Sequence, residues 1–124
     1  KVNWLGNVAE PEQYLSITDV LCLPSYREGF GTVVIEAAAM GVPTVGCSIS
    51  GLVDAVEDGV TGILVPRQDE NRLTKALERL ISDKGLLKKM KIVTLLKNLM
   101  KITTLLKNLK KKIFPLTKII NLTN

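Results

Sequence analysis

A chain of 124 residues has room for one small domain, whose core has to draw on most of its length. Aromatic residues make up 4% of it while Val, Leu, Ile and Ala abound, which sets aside an aromatic-rich β-sandwich in favour of α/β layers. There is no histidine, hence no histidine general base and no histidine metal ligand, and the net charge of +5 is confined to one end. Residues 1–87 hold all 12 acidic residues against seven basic ones, whereas residues 88–124 hold ten lysines and no acid. Two units are therefore expected, 1–87 and 88–124. No run of about 18 uncharged apolar residues occurs and the start shows no signal-peptide pattern, so the expected location is the cytoplasm, free or at the inner face of the membrane.

In chain order, Val2-Asn3-Trp4-Leu5-Gly6 predicts a short strand ended by glycine, and Pro11 opens a helix through Ile17. The apolar run Asp19-Val20-Leu21-Cys22-Leu23-Pro24 predicts a strand buried on both faces and stopped by proline. Thr32 to Met40 predicts a helix, with Gly41 and Pro43 as its stop. Thr44-Val45-Gly46-Cys47 follows as a short buried strand, then a turn at Gly51 with a short helix over Leu52 to Val56, a tight turn at Asp58-Gly59, and a strand over Ile63 to Pro66. Cys22 and Cys47 both lie in apolar runs and are expected to be buried free thiols. Asp69 caps a last helix whose apolar residues Leu73, Ala76, Leu77, Leu80 and Ile81 share one face. Alternation of strand and helix with short connections implies parallel strands and right-handed crossovers, an α/β, Rossmann-like, doubly wound sheet of partial extent.

Beyond Lys88 the composition shifts to Lys, Ile, Leu, Thr and Asn, and Lys91–Met100 is nearly repeated by Lys101–Lys110. Ten residues are about 2.8 helical turns, so successive copies are rotated and the tail is expected to be helical without one well-tuned face. Two readings stand side by side: a degenerate or frameshifted segment from an A/T-rich coding repeat, and a basic amphipathic segment with weak affinity for an anionic membrane surface. On the first, removal of everything after Met90 leaves the α/β part intact.

The stretch Pro24 to Thr32, running into the helix that carries Glu36, lies after a strand and opens a helix, where parallel sheets bind ligands. The amides of Gly31, Thr32 and Val33 are expected to be unpaired there and to face an anion, with Gly29 and Gly31 leaving its approach clear. Glu36 sits in a helix apolar on every side. Either it is buried and meets paired donors such as the two hydroxyls of a ribose, or it lies at a solvent edge or pairs with Arg27.

The run SYREGFGTVVIEAAAMGVPTV, preceded by DVLCLP and followed by GLVDAVEDGVTGILVP, closely resembles the donor-binding core of group 1 glycosyltransferases, glycosyltransferase family four. It holds their E-x7-E motif as Glu28 and Glu36, their Gly-Phe-Gly loop as Gly29, Phe30 and Gly31, and their Gly-x-Pro-Val segment as Gly41, Val42, Pro43 and, conservatively replaced, Thr44. The resemblance covers residues 2 to 87 and implies the C-terminal half of a GT-B fold that binds a nucleotide-diphosphate sugar. By that likeness Glu28 is the catalytic and sugar-contacting residue, Glu36 holds the ribose, and Gly29, Phe30, Gly31, Thr32 and Val33 complete the donor site, with no metal and no cofactor beyond the donor itself. It further implies retention of configuration, a glycan, lipid or other hydroxyl acceptor, a role in polysaccharide biosynthesis, and an N-terminal acceptor domain expected to precede Lys1. The run Ser50-Gly51-Leu52-Val53-Asp54 departs from the family's two glycines and glutamate. The alternative function is a non-catalytic nucleotide-binding remnant or a subunit that needs a partner domain, and the isolated chain is expected to be inactive. No nucleic-acid partner is expected, and an exposed sheet edge offers a route to a homo-oligomer.

Overall fold

The computed structural model describes residues 1–29 and 31–123, with side chains described as far as Lys112. Three parallel strands, β1 (Leu21–Leu23), β2 (Thr44–Cys47) and β3 (Gly62–Val65), lie side by side in that order. All four residues of the central β2 are buried, and its alternation feeds two layers. On one face Val45 packs with Val65, and helix α4 (Glu70–Ser82) adds Ala76 and Leu80. On the other, Gly46 lies under Leu52 of the short helix α3 (Ser50–Val53), where a Cβ would stand 2.5 Å from the leucine Cδ2. Val34 of α2 (Thr32–Ala39) joins Leu52, Ile49 and Val56 in the same cluster. A small outer cluster docks Leu15 of α1 (Pro11–Ser16) on Ala37 and Val42. Helices on both faces make this the expected α/β, Rossmann-like, doubly wound parallel sheet.

Local chemistry sets the helix ends. Gly41, at φ 71°, closes α2 in the left-handed conformation, with Val42 N–H bonded to Ala37 and Gly41 N–H to Ala38. Asp69 caps α4 by accepting from the Arg72 amide at 2.9 Å. Asp83 ends α4 and at once caps the last helix, α5 (Lys84–Thr123), by accepting from the Leu86 amide at 2.9 Å.

Helix α5 runs unbroken across the composition change at residues 87 and 88, and its early turns belong to the core. Met90 is 3% exposed and packs with Leu80 and Val65. The helix then passes the N-terminal ends of the strands. There Lys91 pairs with Asp19 at 2.9 Å, the Leu95 side chain lies against Gly41, Thr94 donates to the Thr61 carbonyl, and Lys97 pairs with Glu57. Among the described residues no helix is long and apolar enough to cross a membrane.

Several expectations are corrected. Residues 2 to 6 form no strand, since they pair with no neighbour and leave Val2 and Trp4 each 93% exposed. Strand β1 is half-buried on one face and exposed on the other, because the α4 contacts fall on β2 and β3 rather than on the edge strand, so Cys22 is exposed while Cys47 is buried. Helix α3 starts two residues early, at Ser50. Ile81 is 70% exposed and lies off the buried face of α4. Met90 is also no safe end point, since the residues just beyond it carry contacts to three parts of the body. Truncation after Met90 should lower Tm by about 10 °C, given the loss of roughly 2 kcal/mol of packing and pairing at about 4 to 8 °C per kcal/mol. Truncation after Lys101 should leave Tm within about 2 °C, because residues 101–112 are all exposed; thermal melts of the two shortened chains against the full one distinguish these outcomes.

Candidate functional site

The connections that leave β1, β2 and β3 each lead directly into a helix, α2, α3 and α4 respectively, so three helix N-termini gather at the C-terminal edge of the sheet. Two of these connections are locked together by glycines. A Cβ on Gly51 would stand 2.5 Å from the Glu28 carbonyl oxygen and 2.9 Å from the Glu28 Cβ, contacts that no side chain can make. Gly31, at φ 59°, is the N-cap of α2, and a Cβ on it would meet the Gly51 carbonyl oxygen at 3.0 Å. Nothing lies within 4 Å of a Cβ built on Gly29, so the loop between the two glutamates is open there.

This lock holds Glu28 in place. Its side chain is half-buried and Oε1 accepts from Ser25 Oγ at 2.8 Å, the one side-chain hydrogen bond it makes among the described residues. The second oxygen accepts no side-chain hydrogen bond among the described residues. Three residues on, the Gly31 carbonyl accepts from Val34 and Ile35, while among the described residues no backbone carbonyl accepts from the amides of Thr32 or Val33. Those two N–H groups stand at the positive end of the helix dipole, where an N-terminal helix turn attracts negative charge. Phe30 lies outside the described residues.

Glu36 is exposed, which selects the solvent edge over the buried setting as its position. Helix α2 is not apolar all round in space: Val34 and Ala37 face the core, and Glu36 falls on the outer side one turn beyond Thr32. Among the described residues it makes no ion pair, with Arg27 or any other cation. The site thus brings together Glu28, Gly29, Gly31, Thr32, Val33 and Glu36 on one loop and helix start. Asp54 sits elsewhere, in a cavity of about 450 Å³ between α2, α3 and α5 that it lines with Glu57, Lys97 and Lys101. A second cavity of about 430 Å³ opens at the C-terminal edge on the α4 side, lined by Pro24, Tyr26, Cys47, Gln68, Asp69 and Leu73. Neither is lined by Glu28, which is half-buried, or by Glu36, which is exposed. The exposed Cys22 thiol is pushed above its ordinary pKa by partial burial and, secondarily, by Cys47, so it is a poor nucleophile at neutral pH.

Sequence reasoning did not find Ser25 or the role of Gly51. A signal existed for the second: glycine inside the first turn of a helix is disfavoured by about 1 kcal/mol against alanine, and its presence points to a close backbone approach. Gly51→Ala should accordingly lower stability by about 1 to 3 kcal/mol and displace the Glu28 loop, because backbone and not a mobile side chain blocks the new methyl. Gly29→Ala, into open space at an unstrained φ, should leave the melting curve nearly unchanged. Equal melts for the two variants would contradict the glycine lock.

The geometry has clear counterparts. The family described as "Glycosyl transferases group 1" matches residues 1–94. The D-inositol 3-phosphate glycosyltransferase of Streptomyces bingchenggensis is 48% identical over 71 residues, 57% of this chain and 16% of that protein. The capsular polysaccharide biosynthesis glycosyltransferase CapM of Staphylococcus aureus is 36% identical over 82 residues, 66% of this chain and 22% of that protein. The chain therefore spans about a fifth or less of the length of these relatives. Among solved structures, Anabaena HepE in complex with UDP-glucose superposes with a TM-score of 0.74 over 90% of this chain and 31% of that one, at 23% identity. Sucrose-phosphate synthase from Thermosynechococcus elongatus does so with a TM-score of 0.66 over 82% of this chain and 27% of its own, at 32% identity. The sheet, the loop from Glu28 to Val33 and the early turns of α5 all fall within the matched residues, and with this shared GT-B architecture they establish that the chain belongs to the group 1 glycosyl transferases.

Proposed function

We propose that this chain forms the donor-binding wall of a retaining glycosyltransferase, which moves a sugar from a nucleoside diphosphate to a hydroxyl of a glycan or lipid. The observation that carries the reading is the pair of amides at Thr32 and Val33, without a backbone acceptor among the described residues, between two carboxylates, Glu28 and Glu36, that have oxygens to spare there. In this reading Glu36 accepts from the two ribose hydroxyls, and the amides at the start of α2 receive the diphosphate. Glu28, steadied by Ser25, orients the transferred sugar and faces the positive charge that grows at the anomeric carbon as the diphosphate leaves. The departing negative charge is held by dipoles already in place, so little reorganisation accompanies bond breaking. Arg27, next to Glu28, is the cation of this loop. UDP is the first nucleotide to try, since HepE is solved with UDP and with UDP-glucose.

The second reading, a nucleotide-binding subunit that does no chemistry alone, draws on Glu36 standing exposed in this chain. Transfer depends on holding donor and acceptor in near-attack geometry, and effective molarities of about 10⁵ M or more are lost with one wall absent. The 124-residue chain by itself should yield no product above background from a panel of nucleotide sugars with water or glycan acceptors. Robust turnover by the purified monomer would overturn that division of labour.

Binding is the direct test of the site. UDP should shift the amide resonances from Glu28 to Val33 more than uridine does, and equal shifts would speak against an anion site at α2. Glu36→Gln keeps shape and loses charge-assisted hydrogen bonds worth roughly 1.5 to 3 kcal/mol each, so UDP affinity should fall by about tenfold or more with Tm unchanged. Glu28→Gln should leave UDP affinity within about threefold and act on transfer when the chain is joined to an acceptor domain. The opposite pattern in the two variants would reverse the roles assigned to the two glutamates.

A further inference from the structure

Between residues 91 and 101, α5 is turned inside out relative to an ordinary surface helix. Its polar side chains face the body: Thr94 is buried, Lys97 pairs with Glu57, and Thr94, Lys97, Asn98 and Lys101 line the cavity against α2 and α3. Its apolar side chains face outward, with Ile92 49%, Leu96 53%, Leu99 50% and, two turns further on, Leu106 53% exposed. These positions fall at i, i+4, i+7 and i+14, one helix face, and exposed Leu95 and Ile102 flank them on one side. From Lys101 to Lys112 every residue is exposed, so about 18 Å of helix at 1.5 Å per residue stands clear of the body. A helix in water draws most of its stability from burying such a face, and nothing in the described residues covers this one.

Charge decides between the occupants. Residues 84–112 carry ten lysines and no acid. Lys88 and Lys89 stand at one end of the outward face and Lys107 and Lys110 at the other, all exposed. A second copy packed along this face would set lysine against lysine with no carboxylate on α5 to pair either. An anionic bilayer offers an apolar layer for the leucines and negative head groups for the lysines, whose long stems let the charge reach past the apolar face. Since no described helix is long and apolar enough to cross a membrane, the helix would lie in the plane of the surface.

We propose that the outward face of α5, built from Ile92, Leu96, Leu99 and Leu106 with lysines at both ends, docks in-plane on an anionic lipid bilayer. Helix α5 meets the body at the N-terminal ends of the strands, whereas Glu28 and Glu36 belong to the C-terminal edge, so docking leaves the site loops open to solution. The proposal does not depend on the sugar-transfer reading.

The test is co-sedimentation of the full chain with vesicles of phosphatidylcholine alone and vesicles in which about a third of the lipid is phosphatidylglycerol. Partitioning should be about tenfold or more stronger onto the anionic vesicles and should fall steeply at about 0.5 M salt. The Leu96→Ser/Leu99→Ser double variant, altered only at exposed positions, should keep its Tm and lose about tenfold in partitioning. Lys107→Gln/Lys110→Gln should lose several-fold on anionic vesicles and nothing on neutral ones. Equal partitioning onto both vesicle types, or no loss in either variant, overturns the proposal. So does a dimer in sedimentation velocity that the leucine variant dissolves while vesicles go unbound, which would assign the face to a second copy.

Discussion

The fold depends on burying a single four-residue strand on both of its faces. Strand β2 is paired on either side, and all four of its residues are buried. Neither layer alone would form a core: one gathers α4 and the start of α5 over Val45, the other gathers α2 and α3 over Gly46. The second layer sits close because β2 and β3 present glycines to it. A Cβ on Gly62 would lie 2.7 Å from the Val56 Cγ1, nearly as tight as the 2.5 Å that one on Gly46 would leave to Leu52 on the neighbouring strand. A small parallel sheet of this kind is stabilised by the helices that its backbone lets approach, more than by its own ladder hydrogen bonds.

That close packing at β2 fixes the site through a second glycine contact. Once Leu52 is seated on Gly46, Gly51 is brought under the Glu28 backbone, and the loop after β1 has little freedom left. The Ser25 hydroxyl then orients the Glu28 carboxylate, and Gly31 adopts the left-handed turn that starts α2 with its first amides unpaired. Sheet packing, loop position and free donors form one causal sequence, so the chemistry of the edge follows from how tightly α3 can sit. Glu36 stands outside this constraint. Its position is set by helical periodicity alone, one turn past the amides and clear of the core.

Helix α5 joins the two layers by passing from α4 to α2 across the starts of the strands, and it does so with polar contacts. Leu86, Leu87 and Met90 pack its first turns on the core, and beyond them Thr94, Lys91 and Lys97 meet Thr61, Asp19 and Glu57, so the later stretch is positioned mainly by hydrogen bonds and ion pairs. This explains why its leucines are left over for solvent. Partly exposed ion pairs are individually weak, but here they accompany a buried Met90 and a buried Thr94, which give the helix its register.

The sequence by itself determined the element order, the parallel α/β architecture and the identity of the site loop. Those depend on local signals: apolar runs bounded by Gly and Pro, the Asp69 cap, the Gly41 stop, and the family motif spanning Glu28 and Glu36. What only the tertiary structure decided were properties of neighbours. Residues 2 to 6 read as a strand by composition, yet a strand exists only where another pairs with it. Cys22 reads as buried by its apolar run, yet it sits on the uncovered face of an edge strand. Glu36 reads as either buried or at a solvent edge, since its helix neighbours in sequence are apolar; in space only Val34 and Ala37 turn to the core, and Glu36 is left in solvent. The lysine-rich segment reads as an appendage from composition, whereas its first turns complete two layers through contacts with residues 33 to 72 positions earlier in the chain. Burial and long-range pairing are set by what packs against a residue, and a linear pattern carries that information only when both partners share one element.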